Sequence, residues 1–190
     1  DVLTAATSSM GLPADVVQDA GSAADCVEHA AQADATVAGL RVYCCDGADF
    51  VRAAAEHSGG PRYDVVVVDV FDGRGKTPKA FLKDDFAAAL GAISQSATVN
   101  LTCPVPMWED ANEATAPEAG ALSRAWKKGF GPTSGMWSVR VPEGQNIVLG
   151  ITSVGVPPAE ILAGEAKVLA REGVFAFDPT RRVNFHRRDW

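Results

Sequence analysis

The sequence predicts an α/β fold whose mostly parallel sheet ends in a C-terminal antiparallel hairpin. Three observations predict it. β-type runs alternate with helical ones through the middle of the chain, as repeated βα units require. One run, Val65-Val66-Val67-Val68, is unbroken valine, the pattern of a strand covered on both faces. The last two β-type runs are joined by Pro142-Glu143-Gly144-Gln145 with no helix between them, so they pair as a hairpin.

Each element has its own warrant. Residues 41–45 are a short β-branched and aromatic run, closed by the turn pair Asp46-Gly47. Asp49 then caps a helix over 50–57, with Phe50, Val51, Ala54 and Ala55 on one face. Ser58-Gly59-Gly60-Pro61 breaks it. Residues 64–70 form the valine strand, placed at the centre of the sheet. A polar loop with Gly73, Gly75 and Pro78 leads to a helix over 80–93, whose inner stripe is Phe81, Phe86, Leu90 and Ile93. The third strand, 97–103, is closed by Pro104 and Pro106. Residues 108–128 are alanine-rich and polar, and Pro117 divides a loop from a helix. The hairpin pairs 136–141 with 146–154, and Pro157-Pro158 opens a last helix over 159–171. The tail reads as irregular and basic. No repeat or low-complexity linker divides the chain, so residues 1–190 read as one domain.

Composition bounds the function. A chain of 190 residues, 47% hydrophobic and 22% charged, buries a core without disulfide or metal staples. A net charge of -7 argues against free duplex DNA as partner, because phosphate binding rests on a positive surface. No apolar run approaches the roughly 18 residues that a membrane span needs. The chain opens at Asp1 without a basic, apolar leader, as after removal of a presequence or in a fragment; a removed presequence would suit an organelle. Cys26, Cys44, Cys45 and Cys103 form no C-x-x-C pair and read as buried thiols in a reducing compartment. His29, His57 and His186 are scattered surface or helix-end residues. Asp69, Asp72, Asp84 and Asp85 are the acidic grouping to weigh for a metal, but Asp84 and Asp85 suit the solvent face of a helix, so no metal site is expected. Trp108, Trp126, Trp137 and Trp190 read as core or cover residues.

Two stretches carry a resemblance: residues 41–50, Arg-Val-Tyr-Cys-Cys-Asp-Gly-Ala-Asp-Phe, and residues 63–72, Tyr-Asp-Val-Val-Val-Val-Asp-Val-Phe-Asp. With Pro78, Phe81, Phe86 and Asn146-Ile147-Val148-Leu149, they resemble the spermidine synthase family and the related spermidine-synthase-like methyltransferases. The likeness runs over about residues 41–178 and implies a Rossmann-like class I methyltransferase fold with a shortened N-terminal part. It also implies roles. Asp46 would accept from the adenine amine of S-adenosylmethionine or its decarboxylated form, and Gly47 would let the chain pass close to the ring. Asp69 and Asp72 would bind an acceptor amine and help remove its proton, since an amine nucleophile is protonated at neutral pH. This chain has Gly73 where the family has proline, and Arg74 and Lys76 are poor company for a polyamine.

The front departs further. In the resemblance, residues 1–40 must hold two strands, a glycine-rich loop and two helices. Residues 15–18 take the second strand, Asp19 or Gln18 the ribose position, and Ser22 caps a helix to residue 35. Residues 2–13 then hold the first strand and the cofactor loop, with Gly11 alone of the expected glycines. The expectation is therefore a non-catalytic member of the fold, an accessory or scaffold subunit of a larger assembly. The alternative is an active aminopropyl- or methyltransferase, with Asp46 and Asp19 on the nucleoside and Asp69 and Asp72 on the amine. Residues 179–190 form a basic tail, with Arg181, Arg182, Arg187 and Arg188 against Asp189. With Trp190 it reads as a tail folded on its own acidic body or a docking strip for an acidic partner or RNA.

Overall fold

The computed structural model describes residues 8–9, 17–18, 21–33, 39–102, 117–140, 146–156, 159–173 and 184–188. The fold is mixed α/β, and its contacts divide it into two compact units, residues 1–61 and 62–190.

In the first unit, β1 (Val17–Gln18) pairs in parallel with β2 (Val42–Tyr43). Helix α1 (Ala23–Gln32) opens on a capping box. The Ser22 hydroxyl accepts the Asp25 amide at 3.2 Å, and the Asp25 carboxylate accepts the Ser22 amide at 3.1 Å. Two amides left open by the helix start are thereby satisfied. Helix α2 (Gly47–Glu56) packs against α1, burying Ala48, Val51 and Ala54, while Cys26 and Val27 are buried on α1. His57 at the end of α2 meets Glu28 of α1 at 2.9 Å, a bond that with Gln32 holds the Glu28 carboxyl below its ordinary range.

In the second unit a five-stranded sheet runs in the order β3 (Tyr63–Val68), β4 (Ser94–Thr102), β6 (Asn146–Thr152), β5 (Gly135–Arg140) and β7 (Asn184–Arg188). β3 and β4 are parallel, and the other three pairings are antiparallel. The sheet is therefore mixed and not mostly parallel, because the expected hairpin lies against β4 and a further strand joins its far side. That strand, β7, falls where the tail had been read as irregular; Arg187 and Arg188 stand in register with Trp137 and Met136. Arg181, Arg182 and Trp190 lie outside the described residues.

Helices α3 (Asp84–Ile93) and α4 (Pro117–Phe130) pack on each other and on this sheet, α3 against β4 and α4 against β6. A short 3-10 turn (Lys79–Leu82) precedes α3 and supplies the first residue of the predicted stripe. Phe81, Phe86, Leu90 and Ile93 are all buried, as are Leu122 and Trp126 of α4. The sheet residues in register beneath them, Ala97, Val99, Leu101, Leu149, Ile151 and Met136, are buried too. Helix α5 (Ala159–Arg171) has the bounds that the sequence predicts and packs beside β7. Opposite the helices, the Trp137 indole lies across Gly150, its register partner on β6, where any Cβ would enter the ring. An aromatic ring over a strand glycine restores the cover that glycine lacks.

The valine strand is not central. β3 is the edge of its sheet, Val66 and Val68 share the register of buried Ala97 and Val99, and Val65 and Val67 are 56% and 68% exposed. Period-two alternation turns half of any valine run away from a single helical layer. Four valines in a row therefore do not by themselves require two layers.

Candidate functional site

Asp69 follows directly on β3, at the carboxyl end of the parallel β3–β4 pair, where open α/β sheets place ligands. Its Oδ1 accepts from Nδ2 of Asn100 on β4 at 3.1 Å. Both residues continue the sheet face opposite α3 and α4, the face that carries Val65 and Val67. The Asn100 Oδ1 is buried with no hydrogen-bond partner. Turning the amide over would place two oxygens together, so the contact with Asp69 fixes its orientation and leaves the buried Oδ1 unpaired. Reasoning from the sequence had not reached Asn100. Its signal was there: the alternation Ala97, Val99, Leu101 puts Asn100 on the non-core face.

Asp72 is held differently. Its Oδ1 accepts the amides of Arg74 at 2.8 Å and Lys76 at 2.9 Å, its own amide donates to the Lys76 carbonyl at 2.7 Å, and its carbonyl accepts from Gly75 at 2.9 Å. Gly75 takes φ 72°, a conformation that glycine adopts without strain. The Lys76 and Arg74 amides, with the Lys76 charge adding, keep the Asp72 carboxyl below the ordinary aspartate range. The side chain thus closes its own loop. Among the described residues no hydrogen bond links Asp69 to Asp72. Arg74 and Lys76, the two cations out of place for a polyamine, are exposed.

Asp46 belongs to the first unit, where it is the N-cap of α2 in the place expected of Asp49. Its Oδ1 accepts from the amides of Ala48 at 2.9 Å and Asp49 at 3.0 Å. Gly47 is the first residue of the helix, and Asp49 pairs with Arg52 one turn on, at 3.1 Å. Two amides at a helix start compete for one carboxylate, and Asp46 stands at the spacing to take both. Asp19 and Gly11 lie outside the described residues; Gln18 ends β1. Asp84 and Asp85 occupy the first turn of α3, where carboxylates suit the helix dipole, and Asp84 meets Lys128 of α4 at 2.6 Å. Among the described residues no group of three His, Cys, Asp or Glu side chains is placed to hold a metal ion. None of their helices is long and apolar enough to cross a membrane.

No protein-family model matches the chain, and no curated protein matches it. Among solved structures, it is similar to the crystal structure of protein LPL1258 from Legionella pneumophila str. Philadelphia 1, of the family DUF519. The identity is 11% and the TM-score 0.43, over 83% of this chain and 54% of that one. The chain thus spans about half the length of the structure it matches. At that level the likeness bears on neither fold class nor activity.

Proposed function

We propose that the chain is a non-catalytic relative of the spermidine synthase-like transferases, of Rossmann-like class I descent, serving as an accessory or scaffold subunit of a larger assembly. The observation that carries this reading is what two of the expected ligand carboxylates, Asp46 and Asp72, are doing. Asp46 spends Oδ1 on the amides of Ala48 and Asp49, and Asp72 spends Oδ1 on those of Arg74 and Lys76. Each hydrogen bond to a charged acceptor is worth about 1.5–3 kcal/mol, so a ligand that takes Oδ1 of either residue must displace bonds already made. The β3–α3–β4 unit followed by the hairpin supports the descent, being the order that the resemblance implies. The apolar surface at Val65 and Val67 supports the role of a subunit, as exposed apolar edges favour association.

Calorimetric titration of the intact chain with S-adenosylmethionine and with its decarboxylated form tests the reading. The expected result is no saturable heat with either. Low-micromolar binding that Asp46→Ala abolishes would overturn it.

A second reading, active amine transfer from such a nucleoside, is favoured by Asp69. That carboxylate lies exposed at the end of a parallel strand, and Asn100 on the neighbouring strand donates to it. Under that reading Asp69→Asn and Asn100→Ala both lower turnover of the amine. Under the accessory reading neither variant alters any transfer activity.

A further inference from the structure

In the first unit, a cavity of about 260 Å³ opens between the end of α1 and β2. His29, Gln32 and Ala33 line it from the helix end, and Arg41 and Tyr43 from the strand side. The chain has 24 acidic side chains against 17 basic ones, yet none of these lining residues is acidic. Arg41 and Tyr43 stand two residues apart on extended chain, so both side chains fall on one face. Tyr43 stacks on Phe50 of α2, ring centroids 6.0 Å apart, which fixes the axis of its hydroxyl. Arg41 makes no ion pair among the described residues. Glu28, one turn before Gln32, is already engaged: its carboxylate meets His57 at 2.9 Å and accepts from the Gln32 amide at 2.6 Å. We propose that this cavity binds a small carboxylate that also carries a hydroxyl or amino group, of the hydroxy-acid or amino-acid class.

The planar guanidinium of Arg41 matches a carboxylate through two parallel hydrogen bonds. The His29 ring offers at least one N–H in either tautomer. Burial pushes the Tyr43 phenol above its ordinary range, with the Arg41 charge opposing, so at neutral pH the hydroxyl keeps its proton and donates. Charge selects among anions. Arg41 brings one full positive charge, and the last carbonyls of α1 oppose it with about half a negative one. A monoanion answers that balance, whereas a phosphate monoester, at about -1.5 to -2, exceeds it. The carbonyls that end a helix also lack donors within it, and a hydroxyl or ammonium beside the carboxylate supplies one. The volume falls below the roughly 300–1,000 Å³ of sites for drug-sized ligands, so the acid is a small one.

Proton–nitrogen correlation spectra of the intact chain, titrated separately with L-lactate, L-serine, propionate and inorganic phosphate, test the proposal. Saturable shifts are expected with lactate or serine, centred on residues 29–33 and 41–43, and the tighter of the two tells whether a hydroxyl or an amine is read. Propionate, which has no second group, should bind about 5–10-fold more weakly. Arg41→Ala should weaken binding about tenfold or more, and Arg41→Lys, which keeps the charge without the fork, should recover only part of it. The unmodified chain locates the site by itself, so a variant whose spectrum shows it unfolded does not decide the matter. Tighter binding of phosphate than of either acid, propionate binding as well as both, shifts centred elsewhere, or no saturable shift with any carboxylate would overturn the proposal. The lining residues are distinct from Asp46, Asp69 and Asp72, so either result leaves the accessory reading to its own titration.

Discussion

Gly91 of α3 and Gly129 of α4 meet backbone to backbone: a Cβ on Gly91 would fall on the Gly129 carbonyl, and one on Gly129 on the Ala87 carbonyl. Two helices approach this closely only where neither carries a side chain at the crossing. The contact brings Leu90 and Ile93 of α3 and Leu122 and Trp126 of α4, all fully buried, onto the same sheet face. The glycines are thus packing residues.

Gly129→Ala is expected to destabilise the chain although it raises helix propensity. Alanine gains up to about 1 kcal/mol over glycine in a helix interior. Overpacking against a main-chain carbonyl, which cannot rotate aside, costs about 1–3 kcal/mol. The second effect wins, so urea unfolding followed by circular dichroism should show a lower midpoint. An unchanged or higher midpoint would mean that the helices are farther apart than described.

Lys128→Ala, one residue away, should do little. The Lys128–Asp84 pair is short at 2.6 Å, but its side chains are 74% and 63% exposed. Exposed ion pairs contribute about 0–1 kcal/mol and are screened by salt. A loss within that range that shrinks in high salt is expected from the same unfolding experiment. Together the neighbours separate packing from surface charge at one end of α4.

Asp46→Ala should cost about 1 kcal/mol through loss of the N-cap, while Asp46→Asn, which keeps an acceptor oxygen, should cost much less. Chemical denaturation of both variants checks this. The pair also divides the two functions. If asparagine preserves stability and there is no nucleoside binding to lose, capping accounts for Asp46.

Local patterns were legible in the sequence, and neighbours distant along the chain were not. The bounds of α5 and the buried stripe of Phe81, Phe86, Leu90 and Ile93 follow from spacing within one segment. The place of β3 does not, because Val65 and Val67 have the same chemistry whether a layer covers them or not. Asp46 and Asp49 both suit a helix start, and only the path of the chain decides which of them stands at the N-cap. The strand at Asn184–Arg188 was hidden by its polar residues and exists as a partner of β5. Asp69 was legible as a position at a strand end. Its partner Asn100 lies 31 residues on and comes beside it through the parallel register of β3 and β4.

The loop after β3 gives the pH dependence. The Asp72 carboxyl is held below the ordinary aspartate range by the Lys76 and Arg74 amides, with the Lys76 charge adding. A group whose folded pKa is depressed contributes stability that is present above the unfolded value and lost as pH falls through the folded one. Asp72 is fully exposed, so the effect belongs to the loop and not to the whole fold. Amide hydrogen exchange should therefore show Arg74 and Lys76 protected at neutral pH, with protection fading only once the solution is more acidic than an ordinary aspartate requires. Asp72→Asn should weaken that protection and remove its acid dependence, and Asp72→Ala should abolish the protection. Exchange at Lys76 that is fast at neutral pH in the unmodified chain would show the loop open, and Asp72 free for a ligand after all.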